Sequence, residues 1–192
     1  MAKSLGAFIL GHSMSILCLR RLAEPEKRLK MKKLVGLLVL VVGVASGQTV
    51  IATVNVGSYP AGVAVNPAGT RAYVANLYGD SVSVIDTSNN TVTATVNVGS
   101  YPYGVAVNPA GTRAYVTNSG GNTVSVINTA TNLVTATVGV GSNPRGVAVN
   151  PAGTLAYVAN LSGNSVSVID TSNNTVTATV NVGSYQIGRA HV

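Results

Sequence analysis

The sequence predicts an all-β fold: a β-propeller fragment of three four-stranded antiparallel blades with a 42-residue period, plus an orphan outer strand. Two observations lead there, a long internal repeat and four strand-like runs in each copy. A period of about forty residues with four strands is typical of a propeller blade. Each small sheet carries apolar residues on both faces, so blades that stack around a common axis cover what a single blade leaves exposed.

The repeat has three full copies, at 55–96, 97–138 and 139–180, and a fourth copy begins at 181. In the three full copies 29 of 42 positions are identical and 13 vary. Such similarity within one chain indicates recent duplication. Each copy is therefore expected to form the same unit.

The four runs of the first copy are 62–66, 71–76, 81–86 and 91–98. They alternate with period two and are rich in Val, Thr and Tyr, which favours strands. Between them lie Gly, Asn, Ser and Pro, and Gly69 is placed to supply a positive φ in a tight turn. An antiparallel meander follows, with the small residues of its first strand nearest the axis and the Thr-rich last strand outermost.

Both ends of the repeat region depart from this pattern. Residues 49–56 match the outermost strand, 91–98, but lack the three strands that should precede it, as if they complete a blade begun at the other terminus. The tail 187–192 (IGRAHV) breaks the repeat and equals one reading frame of a widely used sequencing adapter. We interpret it as an artefact of a longer protein, the alternative being a genuine divergent end. Propellers have about 4–8 blades, so three are expected to leave blade faces and strand edges exposed.

The N-terminal residues predict export. Residues 31–47 combine a short basic start, an apolar run at 34–45 and small residues where cleavage is expected, after Ser46 or Gly47. The run is shorter than the ~20 residues that span a bilayer, although an uncleaved anchor is the alternative. Residues 1–30 are interpreted as a mis-assigned upstream extension before a true start at Met31, or else as a long charged leader. The mature chain is expected to be extracellular or at the cell surface, with no membrane span.

Charge and reactive groups exclude several functions. The formal net charge is +7, but eight of the 12 basic residues lie at or before Lys33, so the repeats are nearly neutral and nucleic acid is not an expected partner. The one cysteine, Cys18, and the histidines His12 and His191 lie outside the repeats. We therefore predict no disulfide, metal site, cofactor or catalytic residue there, and no enzymatic activity.

The most specific motif lies in the second strand of each copy. Residues 115–118 read YVTN, with YVAN at 73–76 and 157–160, preceded by GVAVNPAGT and followed by VSVID or VSVIN. The region 49–186 resembles the YVTN family of β-propeller repeats, found in archaeal surface-layer proteins and in secreted bacterial proteins. The resemblance implies a seven-bladed propeller at the cell surface, and it carries no shared catalytic residues.

Variation among the copies marks a candidate binding surface. The loops before the first strand and between the second and third should lie at one rim of the ring, and six of the 13 variable positions fall there. The candidate binding residues are Tyr59, Tyr78, Tyr101, Tyr103 and Arg145. Tyrosine and arginine on a rigid scaffold suit recognition of a protein or a cell-envelope glycan. Drift in exposed loops is the alternative.

The other polar and aromatic residues receive structural interpretations. The invariant tyrosines are expected to pack between blades: Tyr73, Tyr115 and Tyr157. Arg71 and Arg113, replaced by Leu155 in the third copy, are expected to be solvated rim residues rather than a clamp. Three sequons give possible glycosylation at Asn89, Asn160 and Asn173. Asp86 and Asp170 are each expected to open a turn by accepting nearby backbone N–H groups. Calcium binding is the weaker interpretation, because each turn supplies only one carboxylate.

The functional hypothesis is an exported β-propeller that serves as a structural and interaction scaffold, truncated at its C-terminus. One alternative is a carbohydrate- or protein-binding module that uses the loop rim. The other is part of a lactonase-like or quinoprotein-like propeller enzyme whose active residues lie in missing blades. The chain is also expected to self-associate through exposed blade edges.

Overall fold

The computed structural model describes residues 49–183, which form twelve strands in three antiparallel sheets. The first blade contains β1 (Pro60–Val65), β2 (Arg71–Asn76), β3 (Ser81–Asp86) and β4 (Thr91–Asn97). The second contains β5 (Pro102–Val107), β6 (Arg113–Asn118), β7 (Thr123–Asn128) and β8 (Leu133–Gly139). The third contains β9 (Pro144–Val149), β10 (Leu155–Asn160), β11 (Ser165–Asp170) and β12 (Thr175–Asn181). The predicted all-β architecture of three four-stranded units is confirmed.

Several sequence-based expectations fall outside this range: the upstream extension 1–30, the signal peptide 31–47, the start of a fourth blade beyond residue 183, and the tail 187–192. Within 49–183 no helix is long and apolar enough to cross a membrane. The helical content of these residues is one short 3-10 turn, Leu77–Gly79.

The first strand of each blade is offset from its prediction: β1 spans Pro60–Val65 rather than 62–66. It starts earlier because Pro60 already pairs with Asn76, before an irregularity in the ladder. It ends earlier because Asn66 turns back, its Oδ1 accepting the N–H groups of Thr70 at 2.8 Å and Arg71 at 2.9 Å. Gly69 has a φ of 71°, as its place in the turn predicts.

The segment 49–56 belongs to no sheet, although its sequence matches an outer strand. An outer strand pairs with the third strand of a blade, and β3, β7 and β11 are already paired with β4, β8 and β12. Val50 and Ile51 of the segment are 87% and 92% exposed. Its completion of a distant blade therefore stays a prediction.

The core lies between blades. Two apolar clusters join the first blade to the second and the second to the third, and they use equivalent residues 42 positions apart. The first cluster comprises Tyr73, Val82, Val84, Val96, Ala114, Val116 and Ile127. Tyr73 and Tyr115 are completely buried, which confirms their predicted packing role, whereas Tyr157 is 41% exposed because no described blade covers the third.

The blades converge at their first strands. β1 lies against β5 and β5 against β9, while the outer strands barely meet, so the stack is wedge-shaped as in a ring. A Cβ on Gly62 would lie 2.2 Å from the carbonyl oxygen of Tyr103, and one on Gly104 equally close to that of Arg145. Glycine permits this approach of two main chains. The predicted position of the first strand nearest the axis agrees with this convergence.

Candidate functional site

The two loops expected to share one rim do lie together in every blade. The N–H of the residue after the second strand donates to the carbonyl of the loop before the first strand. These pairs are Leu77 to Tyr59 at 2.9 Å, Ser119 to Tyr101 at 2.9 Å, and Leu161 to Asn143 at 3.0 Å. The rim is therefore a fixed surface formed by six loops.

One rim position has a left-handed backbone in all three blades. The φ angles are 60° at Tyr59, 53° at Tyr101 and 54° at Asn143. Asparagine adopts this conformation readily, but for a bulky residue it is an outlier that costs about 1–2 kcal/mol. In two blades a tyrosine is thus held in a conformation that its own side chain disfavours, which is typical of functional positions.

Three of the predicted residues form an exposed aromatic group, here called the tyrosine cluster: Tyr59, Tyr78 and Tyr101. The ring centroids of Tyr59 and Tyr78 are 4.6 Å apart, and those of Tyr78 and Tyr101 are 6.1 Å apart, nearly edge to face. The three side chains are 63%, 61% and 49% exposed, respectively. The cluster therefore crosses the junction between the first and second blades and presents aromatic surface to solvent.

The other two predicted residues form a separate pair. The guanidinium carbon of Arg145 lies 4.3 Å from the ring centroid of Tyr103, a cation–π arrangement between β5 and β9. Tyr103 is 38% exposed. The buried Nε of Arg145 has no hydrogen-bond acceptor among residues 49–183. The structure thus divides the five candidates into a group of three and a pair.

The variable rim position 80 has a structural role that the sequence did not indicate. Oδ1 of Asp80 accepts the N–H of Tyr101 at 2.8 Å, which ties the first blade to the second. Asn122 makes the same bond to Asn143 at 2.8 Å. The exchange of Asp for Asn preserves the acceptor, so variation here is not evidence of a binding role.

Asp86 and Asp170 open turns, as predicted. Oδ1 of Asp86 accepts the N–H of Ser88 at 2.8 Å and its hydroxyl at 2.6 Å. These hydrogen bonds from Ser88 lower the pKa of Asp86, and those from Ser172 lower the pKa of Asp170. In the described part of the chain no three His, Cys, Asp or Glu side chains group closely enough to hold a metal.

Asn160 is unsuited to glycosylation in the folded blade. Its side chain is 2% exposed, and its Nδ2, the atom to which a glycan would be attached, donates to the hydroxyls of Ser165 at 3.1 Å and Ser167 at 2.9 Å. Its equivalents, Asn76 and Asn118, are buried in the same way. The invariance of this Asn in all copies was the signal of a structural role. The sequons at Asn89 and Asn173 are exposed and stay predictions.

The prediction that Arg71 and Arg113 are solvated rim residues rather than a clamp is wrong, since both side chains are half-buried and each holds two blades together. Nη1 of Arg71 donates to the carbonyl of Thr129 at 2.6 Å, and Nη1 of Arg113 donates to the carbonyl of Thr171. Each guanidinium therefore bridges its blade to the next one, at the end opposite the rim. Leu155, at the equivalent place in the third blade, cannot make this bond.

The threonine of the YVTN motif is a further inter-blade contact that sequence reasoning missed. Oγ1 of Thr117 accepts the N–H of Gly104 at 2.8 Å and donates to the carbonyl of Arg145 at 2.8 Å. Alanine occupies this place in the other two copies. The motif letter that distinguishes the second copy thus joins its inner strand to the third blade.

Arg113→Leu is expected to lower the free energy of unfolding by about 1.5–3 kcal/mol, because the carbonyl of Thr171 loses a charged donor. Leucine is the residue that the third copy carries here, so the strand tolerates it. The urea midpoint measures the effect. The midpoint of Arg113→Lys, which keeps the charge, should lie between those of the unchanged chain and Arg113→Leu. An unchanged midpoint would show that the bridge contributes nothing.

Comparison with known proteins defines the fold. No family model and no curated protein match the sequence. Among solved structures, the chain is similar to "Kuenenia stuttgartiensis Hydrazine Synthase", with 29% identity and a TM-score of 0.65 over 72% of this chain and 40% of that one. U3-55K aligns with 12% identity and a TM-score of 0.61 over 66% of this chain and 40% of that one. Both are β-propeller-like. Residues 49–183 have the fold of a β-propeller fragment.

A third similar structure is a functionally unknown protein from Desulfotomaculum acetoxidans DSM 771, with 24% identity and a TM-score of 0.57 over 66% of this chain and 45% of that one. This likeness, like that to U3-55K, bears on the propeller fold alone. The chain spans 40–45% of the length of these three solved structures.

Proposed function

We propose that this propeller is an exported, cell-surface scaffold of the YVTN kind that binds a component of the cell envelope through its rim. The observation that carries the proposal is the tyrosine cluster, which is exposed on a backbone held rigidly by its neighbours. The signal-like residues 31–47 and the YVTN and YVAN motifs support export and surface location.

Rigidity favours recognition because an ordered surface loses little conformational entropy on binding. The N–H of Tyr101 is fixed by Asp80, its carbonyl by Ser119, and its ring lies over Gly120, where a Cβ would come within 2.4 Å of it. Tyrosine adds a large amphipathic contact area with few rotatable bonds. The cluster is therefore organised before any partner arrives.

The chemistry of the rim favours an uncharged glycan as the partner. Asp80 engages the main chain of the next blade, and the positive charge of Arg145 lies over the ring of Tyr103. Beside them, the tyrosine cluster offers the faces of half-exposed or more exposed aromatic rings, with their phenol hydroxyls. Such faces pack against the C–H face of a pyranose ring, while the hydroxyls exchange hydrogen bonds with the sugar.

We also propose that these blades perform no catalysis. All three acidic residues of the region 49–183 accept structural hydrogen bonds: Asp80 from Tyr101, Asp86 from Ser88, and Asp170 from Ser172. The hydrogen bonds from Ser88 and Ser172 lower the pKa of Asp86 and Asp170, which makes both carboxylates weaker general bases. A lactonase-like or quinoprotein-like enzyme built on this propeller would have to carry its active residues outside residues 49–183.

Export is tested by fractionation of cells that express the full chain, followed by peptide mapping of the recovered protein. We expect the protein at the surface or in the medium, with an N-terminus at Gly47 or Gln48 and no peptide from residues 1–30. An intracellular protein that retains residues 31–47 would overturn the export proposal.

Glycan binding is tested by Tyr59→Asn, Tyr78→Ser and Tyr101→Asn, combined in one chain. Each change introduces a residue that the third blade carries at the equivalent position, Asn143 or Ser162, so the backbone conformation is preserved. We expect at least a tenfold loss of affinity for isolated cell-wall polysaccharide, or about 1.4 kcal/mol. Leu133→Ser, at a side chain 63% exposed away from the rim, is the control. Undiminished binding would show that the tyrosine cluster is not the glycan-binding surface.

A further inference from the structure

Two sheet faces of the propeller remain uncovered by any described blade. The first-blade face consists of Val63, Val65, Ala72, Val74, Ile85 and Val92. The third-blade face consists of Tyr157, Val166, Val168, Ala178, Val180 and Val182. Val63 and Val65 are 66% and 54% exposed and Val180 is 51% exposed, whereas Val74 and Ile85, between the outer residues of the first-blade face, are each 9% exposed. Exposed apolar side chains grouped on one sheet face mark an interaction site.

The residues that cover such faces are already seen in the internal junctions. At each internal junction, one blade contributes a face that packs on the following blade. The third-blade face has the same residue types, position by position, as the two faces that do this in the first and second blades. The first-blade face likewise has the same residue types as the faces of the second and third blades that pack against the preceding blade. At the internal junctions the equivalents of Val180, Val96 and Val138, are 5% and 6% exposed.

We propose that the third-blade face of one copy of this chain binds the first-blade face of a second copy. The contact is head-to-tail, because the internal junction sets a large residue against small ones: Tyr73 packs in the cluster that contains Ala114. Tyr157 of one copy would meet Ala72 of the next in the same way. The inference deepens the expected self-association and assigns it to blade faces rather than to strand edges.

The main chain supports the same pairing. Gly62 and Gly104 allow the inner strands of successive blades to touch, and Gly146 is their equivalent in the third blade. Among residues 49–183, a Cβ on Gly146 would meet only Ala159, at 3.8 Å. The described residues therefore leave room for the inner strand of a second copy to approach Gly146.

The contact between copies should be weaker than an internal junction. It lacks the guanidinium bridge, because Leu155 stands where the other blades have arginine, and it pays for the lost translational and rotational freedom of a second molecule. A heterologous contact closes into a ring or propagates as a chain.

The test measures the molar mass of the purified chain by sedimentation and light scattering over a range of concentrations. The unchanged chain is expected to associate reversibly, whereas Val63→Lys and Val180→Lys are each expected to be monomeric. An equal mixture of the two variants is expected to form a dimer and nothing larger, since it retains one intact face of each kind. Leu133→Lys, with the same added charge on a side chain 63% exposed elsewhere, should associate normally.

Three results would overturn the inference: a monomeric unchanged chain at all concentrations, association of either lysine variant alone, or a mixture that stays monomeric. Association of one variant alone would indicate like faces in contact or another surface. Gly146→Ala adds only a methyl group and should also prevent assembly without lowering the urea midpoint of the monomer. These measurements need neither export nor glycan. The self-association inference can therefore fail while the scaffold function stands, and the scaffold function can fail while self-association is observed.

Discussion

Gly104→Ala is expected to separate the second blade from the third and to lower the free energy of unfolding by about 3 kcal/mol or more. The added Cβ would lie 2.2 Å from the carbonyl oxygen of Arg145 and 3.2 Å from Oγ1 of Thr117. Neither atom can move away easily. The carbonyl belongs to the main chain of β9, and the Thr117 hydroxyl is held by bonds to both inner strands.

Gly139→Ala is the matched control, since it also changes a strand glycine of the second blade. Within residues 49–183 no atom outside the adjoining residues lies within 4 Å of the new Cβ, and the equivalent residues Asn97 and Asn181 show that the position accepts a side chain. Its stability should be unchanged or higher by about 0.5 kcal/mol, because alanine restricts the unfolded chain. The test compares the urea midpoints of Gly104→Ala and Gly139→Ala, measured at the same low protein concentration. Equal midpoints would refute close approach at Gly104.

Tyr115→Ala is expected to cost about 3–5 kcal/mol, because it removes a completely buried ring from the junction between the second and third blades. Tyr115→Phe should instead be neutral or stabilising. The buried phenol oxygen has no hydrogen-bond partner within residues 49–183, and phenylalanine avoids the cost of burying it.

The repeat provides an internal control for this prediction. Tyr157→Ala is the same change one blade later, at a side chain that is 41% exposed, and its effect on the monomer should be much smaller. Thermal or urea unfolding of the three variants, below the concentration at which copies associate, gives the comparison. If Tyr115→Phe destabilises the chain by more than Tyr157→Ala does, the phenol oxygen has a partner and the packing argument is wrong.

The blade architecture was predictable because each copy repeats the same strand and turn chemistry. Period-two alternation located the strands to within two residues, and Gly69 adopts the positive φ expected of it. The packing role of Tyr73 and Tyr115 followed from their invariance. Duplication helped here, since agreement among three copies separates structural positions from variable ones.

The connections between blades were not predictable by the same reasoning. The acceptor of Arg71 is a main-chain carbonyl 58 residues away, and a carbonyl carries no sequence signal. The grouping of rim loops was expected from the meander, but the left-handed backbone of Tyr59 was not, because that conformation is normally assigned to Gly or Asn. Side chains that bind main-chain atoms across a junction become visible only when the blades are packed.

The replacement of arginine by Leu155 has a mechanical consequence. Two junctions of the stack combine an apolar core and a rim hydrogen bond with a guanidinium bridge, while whatever blade packs on the third is held without that bridge. Apolar contacts resist separation but allow sliding, whereas a directed hydrogen bond resists both. Under shear or tension the assembly should therefore part at a defined seam after the third blade, and the three blades before it should move as one stiff body.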